Sequence, residues 1–229
     1  MSLPNIETLD VDGAIREAEE KVAGDTRASF FKKAAVGGGA VLGSGAILGM
    51  LPSLAHGAPS AKQDIEILNY ALTLEYLEAA FYNEAKQNVS GANKQLASLL
   101  SKHENVHVKA IKGVLSSLNA KAVKEPKFDF KGTTKDDDAF IATALVLENT
   151  GVHAYLGQVT RILNSDILAA AGTIVTIEAR HAAAVAVVIG NKPFKDGTKG
   201  SITPDGAFDT PFSMKKILKA VGDTGFIKG

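Results

Sequence analysis

Two long apolar segments in the second half of the chain contain almost no charged side chains, and this scarcity constrains the fold strongly. Residues 139–160 contain one formal charge, that of Glu148. Residues 167–189 contain only Glu178, Arg180 and His181 as charged or titratable side chains. A carboxylate buried without a partner is costly, so such groups are paired, protonated or bound to metal. The two glutamates therefore predict a polar site inside a bundle of apolar helices.

The same arrangement of acids and histidines occurs twice. In the first half, Glu104 follows Glu75 by 29 residues, and His107 follows Glu104 by three. In the second half, Glu178 follows Glu148 by 30 residues and also has a histidine three residues on. Residues three apart project from one face of a helix, so each Glu-x-x-His pair can grip one metal centre. The predicted metal ligands are Glu75, Glu104, His107, Glu148, Glu178 and His181.

A tyrosine follows each lone glutamate by seven residues: Tyr82 follows Glu75, and Tyr155 follows Glu148. Two helical turns place each tyrosine on the face of its own glutamate. We predict a catalytic role for both tyrosines, either as hydrogen-bond partners of the bridging carboxylates or in electron transfer. Large core aromatics with a satisfied hydroxyl would show the same spacing.

Two further residues lie next to the predicted ligands. Glu78 follows Glu75 by three residues, but the corresponding position in the second half is Gly151. This mismatch favours a role for Glu78 behind the ligands, or on the helix surface, over metal ligation. His103 points about 100° away from Glu104 on a helix, which predicts an exposed side chain.

Helical periodicity begins near residue 62, where apolar residues start to recur every three or four positions. Breaks at 89–93 and 164–166, and a longer connection at 120–135, divide the region into four helices. Asp136 and the two acids after it supply the start of the third helix, which we expect to run to about Leu163. The fourth is predicted over 167–189, with a stop at 190–193. A short helix is expected at 213–221.

The lengths of the connections select the topology. Short loops join the first helix to the second and the third to the fourth, so each pair is predicted to be antiparallel. The middle connection, 120–135, can extend roughly 53 Å, while a helix of this size spans roughly 40 Å. A full-length crossover is therefore available, and a bundle with one long crossover is the ferritin-like arrangement. The sequence predicts an all-α fold.

The chain divides into three predicted regions: a prefix at 1–60, the four-helix bundle at 61–190 and a C-terminal extension at 191–229. Within the prefix, the basic stretch 26–33 precedes an apolar run at 34–55 and small residues near Ala55, which is the layout of an export signal. Residues 26–33 resemble a twin-arginine motif, with Ala28 in place of the second arginine. We expect export to the periplasm, the cell surface or the medium; an uncleaved membrane tether through 34–55 and a disordered arm on a cytoplasmic protein are the alternatives.

Composition excludes several classes of chemistry. The chain has no cysteine, so any metal must be held by His, Asp and Glu, which favours iron, manganese or zinc. Basic and acidic residues balance at 25 each, and we expect no nucleic-acid partner. The glycines at 37–39 are not followed by the strand, helix and lysine of a phosphate-binding loop.

With these motifs, residues 62–190 resemble the ferritin-like di-iron carboxylate superfamily, whose set is one Glu from each of two helices and Glu-x-x-His from each of the other two. Within it, residues 74–82 (LEYLEAAFY) and the tail around 206–211 are similar to exported bacterial and desiccation-related proteins. The resemblance implies two metal ions, with Glu75 and Glu148 as terminal carboxylates. Glu104 and Glu178 would bridge the ions, and a histidine would complete each site.

The expected function is oxidoreductase chemistry on oxygen or peroxide with iron as the preferred metal, that is, ferroxidase or peroxidase activity in stress protection. A dimanganese catalase-like reaction is the alternative within this class. The alternative outside this class is a protein without catalytic activity, which sequesters metal or has a structural role in stress. The sequence does not decide between an enzyme and such a protein. A small homo-oligomer is expected over a storage shell.

Overall fold

Helices dominate the computed structural model, which describes residues 59–190 and 208–228. The elements are α1 (Ala61–Asn88), α2 (Gly91–Ser117), β1 (Lys127–Phe128), α3 (Asp137–Leu156), α4 (Ser165–Val188), α5 (Met214–Asp223) and β2 (Ile227–Lys228).

Polar side chains cap the first turn of four of the five described helices. The carboxylate of Asp136 accepts a hydrogen bond from the Ala139 N–H at 2.8 Å, which starts α3. Ser60, Asn164 and Ser213 cap α1, α4 and α5 in the same way. Such caps satisfy N–H groups that have no partner within the helix.

Hydrogen bonds at both ends of the bundle establish its topology. At one end, the Asp137 carboxylate accepts from the Ser90 N–H at 3.0 Å, which joins the start of α3 to the α1–α2 turn. At the other end, the buried Asp64 near the start of α1 accepts from the N–H groups of Leu163 and Asn164 at 2.8 and 2.9 Å. The segment between α2 and α3 therefore crosses the full length of the bundle. The predicted ferritin-like fold, with two antiparallel hairpins and a long crossover, is confirmed.

Buried apolar side chains form two clusters, one toward each end of the bundle. One contains Phe81, Leu100, Phe140 and Val185, and its aromatic rings pack tightly: Phe81 and Phe140 stack with centroids 5.5 Å apart. The other contains aliphatic residues near the starts of α1 and α4, the end of α2 and the turn after α3: Ile67, Ile111, Ile162, Ile167 and Ile174. Buried polar residues lie along the helices between these two regions.

The C-terminal segment packs on the crossover. β1 pairs with β2 in antiparallel register, with Phe128 opposite Ile227. Asp129 forms ion pairs with Lys131 at 3.0 Å and with Lys228 at 2.9 Å. Ile217 and Val221 of α5 are buried in the cluster that contains Phe81. This two-stranded pairing is a small addition to the all-α architecture that the sequence did not predict.

The third helix ends earlier than predicted. It stops at Leu156, and residues 157–161 form turns. The Phe212 N–H donates to the His153 carbonyl at 3.1 Å, the same carbonyl that accepts from the Gly157 N–H. The tail thus docks where another helical turn was expected, which makes the prediction of Leu163 as the end wrong.

Among the described residues, α4 alone is long and apolar enough to cross a membrane, by length and composition. The predicted export segment and the region 191–207 lie outside the described residues, so the expectations for them stay predictions.

Gly157 has no room for a side chain. A Cβ at this position would lie 1.8 Å from the Phe212 carbonyl oxygen, whereas a Cβ at Gly172 in α4 would meet nothing within 4 Å. We therefore expect Gly157→Ala to displace the tail and lower the free energy of unfolding by about 1–3 kcal/mol. Gly172→Ala should raise it by up to about 1 kcal/mol. Denaturant unfolding of the two variants measures this difference; equal stabilities would contradict the docking of the tail on α3.

Candidate metal centre

Each of the four bundle helices has one fully buried glutamate near the middle of its length. Burial of these four side chains is complete, with 0% exposure for each. Two histidines that follow on α2 and α4 are also buried. The six residues are the predicted ligands: Glu75, Glu104, His107, Glu148, Glu178 and His181.

His107 lies at the centre of a first group of possible ligands. Its Nδ1 atom is 3.2 Å from Glu75 Oε2, 3.0 Å from Glu104 Oε2 and 3.2 Å from Glu178 Oε1. One ligand atom from each of the four residues lies within 4.8 Å of the others. Three carboxylates and one imidazole at such distances can hold one cation.

His181 lies at the centre of a second group. Its Nδ1 atom is 3.0 Å from Glu104 Oε1, 3.3 Å from Glu148 Oε2 and 3.8 Å from Glu178 Oε2. Glu104 and Glu178 therefore belong to both groups. Each turns one carboxylate oxygen toward His107 and the other toward His181. This is the arrangement expected of two carboxylates that bridge a pair of cations.

Unsatisfied polar atoms show that the residues fit such ions. Glu104 Oε1, Glu148 Oε2, both Glu178 carboxylate oxygens and His181 Nδ1 are buried without a hydrogen-bond partner. His181 Nδ1 is close to Glu104 Oε1, but the two atoms are not aligned for a hydrogen bond. Buried polar atoms are nearly always satisfied. Four carboxylates and two imidazoles suit iron, manganese or zinc.

The buried surroundings shift the pKa values of Glu75, Glu148 and Glu104. Burial raises the pKa of Glu75 to about 8, against a hydrogen bond from His107 that lowers it. Burial likewise raises the pKa of Glu148 well above its usual range. Burial also acts on Glu104, but its contacts with His107 and His181 outweigh that effect and lower its pKa.

The two histidines titrate in the opposite sense. Burial lowers the pKa of His107, but its contacts with Glu104, Glu178 and Glu75 outweigh this and raise the pKa to about 12. The neighbouring carboxylates likewise raise the pKa of His181 to about 11, against the effect of burial. These pKa values make both imidazoles cationic at neutral pH when no metal is bound.

Each predicted tyrosine bonds to the glutamate of the other hairpin. The Tyr82 hydroxyl donates to Glu148 Oε1 at 2.5 Å, and the Tyr155 hydroxyl donates to Glu75 Oε1. Burial raises the pKa of both phenols well above the usual value, so both stay protonated donors. The tyrosines thus contact the predicted terminal carboxylates and cross-link α1 to α3; the expectation that they hydrogen-bond the bridging carboxylates is wrong. Their catalytic role stays a prediction.

Glu78 is buried beside the six residues. It is 4% exposed, which excludes the helix-surface alternative. A Cβ added to Gly151 would lie 3.3 Å from Glu178 Oε2 and 3.4 Å from Glu78 Oε1. The glycine thus leaves space for two carboxylates. Burial and the nearby carboxylates, Glu178 first, raise the pKa of Glu78 well above its usual range.

The prediction that His103 is exposed is wrong. The side chain is half-buried, and its Nδ1 atom lies 2.8 Å from His181 Nε2. The two rings stack with centroids 5.1 Å apart. His103 thus contacts the nitrogen of His181 that faces away from the carboxylates, and it can orient the ring. The sequence signal for this contact was that His103 precedes the predicted ligand His107 by four residues, which places both histidines on one face of α2.

The fold and this cluster agree with the comparison with known families. A family model described as ferritin-like domain matches residues 63–191. The chain belongs to this ferritin-like family. Its buried acidic and histidine cluster is compatible with a di-metal site. A search of curated proteins finds no match for the chain.

We expect metal binding to release protons at pH 7. The raised pKa values mean that the metal-free histidines are protonated at this pH, whereas only neutral imidazole binds metal. Binding of two divalent ions should therefore release about two protons or more per chain, and the affinity should fall as the pH is lowered. Calorimetry in buffers of different ionisation enthalpy measures the release. Binding without proton release would contradict the assignment of imidazolium to His107 and His181 in the metal-free protein.

Proposed function

We propose that this ferritin-like protein binds two metal ions, preferably iron, and acts as an oxidoreductase that oxidises ferrous iron or reduces peroxide. We further propose that the protein is exported and serves in protection against stress. One observation supports the proposal most strongly. Glu104 and Glu178 each direct one carboxylate oxygen to His107 and the other to His181. The assignment of the four buried glutamates and two buried histidines as ligands is part of the proposal.

A pair of redox-active ions supplies two-electron chemistry toward oxygen or peroxide. In the ferroxidase reaction, two ferrous ions each lose one electron to dioxygen, which takes up two protons and leaves as hydrogen peroxide. With peroxide as the oxidant, the same two electrons and two protons yield two waters. The chain itself supplies terminal and bridging carboxylates, two imidazoles, and buried phenols that hold the terminal carboxylates in place.

The proposed function requires two metal ions per chain. Glu178 belongs to both ligand groups, so we expect Glu178→Ala to lose all or nearly all bound metal, while alanine preserves the helix. Elemental mass spectrometry of protein purified after metal-replete expression gives the stoichiometry. The matched control is Glu66→Ala, because Glu66 lies exposed on α1 and should leave two ions bound.

Two results would refute the proposal: metal-free wild-type protein, or a Glu178→Ala variant that retains two ions. If two ions are present, oxygen uptake with ferrous iron supports ferroxidase activity. Evolution of oxygen from peroxide with bound manganese would support the catalase-like alternative. Bound metal without either reaction would support sequestration.

Sequencing of the N-terminus of the secreted or periplasmic protein tests export; a full-length protein in the cytoplasm would contradict it.

A further inference from the structure

An apolar cavity of about 50 Å³ lies inside the end of the bundle where α1 and α4 begin. All four bundle helices contribute to its wall, and the surface that it presents is almost entirely carbon. The residues that define it best are Ile67, Ala71, Ile111, Ala154, Tyr155 and Ile174.

The cavity lies one helical turn from the candidate metal centre. Ala71 precedes Glu75 by four residues, and Ile174 precedes Glu178 by four. Residues four apart lie on the same face of a helix, one above the other. Tyr155 spans the remaining distance, because it lines the cavity and its hydroxyl donates to Glu75. The cavity therefore borders the ligand group centred on His107.

The repeat in the sequence explains why this end of the bundle has space that aromatic rings fill at the other end. Aligning Glu75 with Glu148 pairs Phe81 with Ala154 and Phe140 with Ile67. At the opposite end, Phe81 and Phe140 are fully buried and stack against one another. At the cavity, an alanine and an isoleucine stand in place of these two rings.

We propose that this cavity binds dioxygen beside the metal centre and selects it over hydrogen peroxide as the oxidant. This inference rests on the proposed oxidoreductase function and names its substrate. About 10–15 Å³ admits one water, and an apolar cavity of about 150 Å³ binds benzene, so the volume suits a diatomic molecule. Peroxide would lose its hydrogen bonds to water at a wall whose exposed surface is almost entirely carbon. The Tyr155 hydroxyl is occupied by Glu75, and the unpaired polar atoms of Tyr70 and Gln158 have almost no accessible surface. Dioxygen has no such loss.

Xenon is apolar and similar in size to dioxygen, and its binding does not depend on bound metal. It therefore tests the cavity independently of the metal centre. Crystals of the full chain pressurised with xenon should show a xenon atom between Ile67, Ile111 and Ile174. Ala154→Phe introduces the side chain that the other half of the repeat carries, and it should abolish this site. Absence of xenon from the wild-type cavity would overturn the proposal.

Single-turnover kinetics test the role of the cavity in the reaction. With two ferrous ions bound, Ala154→Phe should react with dioxygen at least tenfold more slowly than wild type. Its rate with hydrogen peroxide should change by less than twofold. The control is Ala142→Phe, which adds the same ring at an exposed position of α3 and should leave both rates unchanged. An unchanged dioxygen rate, or equal slowing with both oxidants, would overturn the proposal.

Two further measurements keep these outcomes separate. If Ala154→Phe does not fold, Ala154→Val partly fills the cavity and should reduce xenon occupancy and the dioxygen rate together; a change in neither would overturn the proposal. Iron stoichiometry is measured for every variant, so that loss of metal is distinguished from loss of oxygen access. A wild-type protein without iron would refute the proposed function, whereas an iron-loaded wild type that excludes xenon would refute the cavity proposal alone.

Discussion

The cost of keeping four glutamates inside an apolar bundle governs the rest of this structure. Each carboxylate is fully buried, and a charge in that environment must be neutralised or paired. Two buried histidines, two tyrosine hydroxyls and the shared oxygens of Glu104 and Glu178 meet part of this requirement. Oxygen atoms that still lack partners point to cations as the remaining component. Such a site stabilises the bundle when filled, because ligands that bind only the folded state favour it.

The duplicated arrangement makes the centre nearly symmetric, but the surroundings of its two halves differ. Tyr82 and Tyr155 each reach across to the glutamate of the other hairpin. Glu78, however, faces Gly151 without an acidic counterpart there. Aromatic packing fills one end of the bundle, and a cavity occupies the other. The two ligand groups therefore have different surroundings.

Sequence patterns predicted the four helices, the crossover topology and the family. Helical periodicity, loop lengths and the three-residue spacing of Glu and His can all be read along the chain, without knowledge of how the helices pack. They also identified six side chains that the structure brings together, whose role as ligands stays a prediction. Contacts between distant segments were not predictable in this way. The Phe212 amide binds the end of α3, and His103 of α2 contacts His181 of α4. Each tyrosine hydrogen-bonds to a glutamate of the opposite hairpin. These features depend on how helices pack, which periodicity does not specify.

Anomalous diffraction from crystals grown with iron tests the central claim most directly. Data collected above and below the iron absorption edge locate iron independently of any assumed ligand. We expect two peaks about 3.5–4 Å apart, each beside the Nδ1 atom of one histidine, with the carboxylates of Glu104 and Glu178 between them. A single peak, or iron bound only at the protein surface, would contradict a di-metal centre in the bundle.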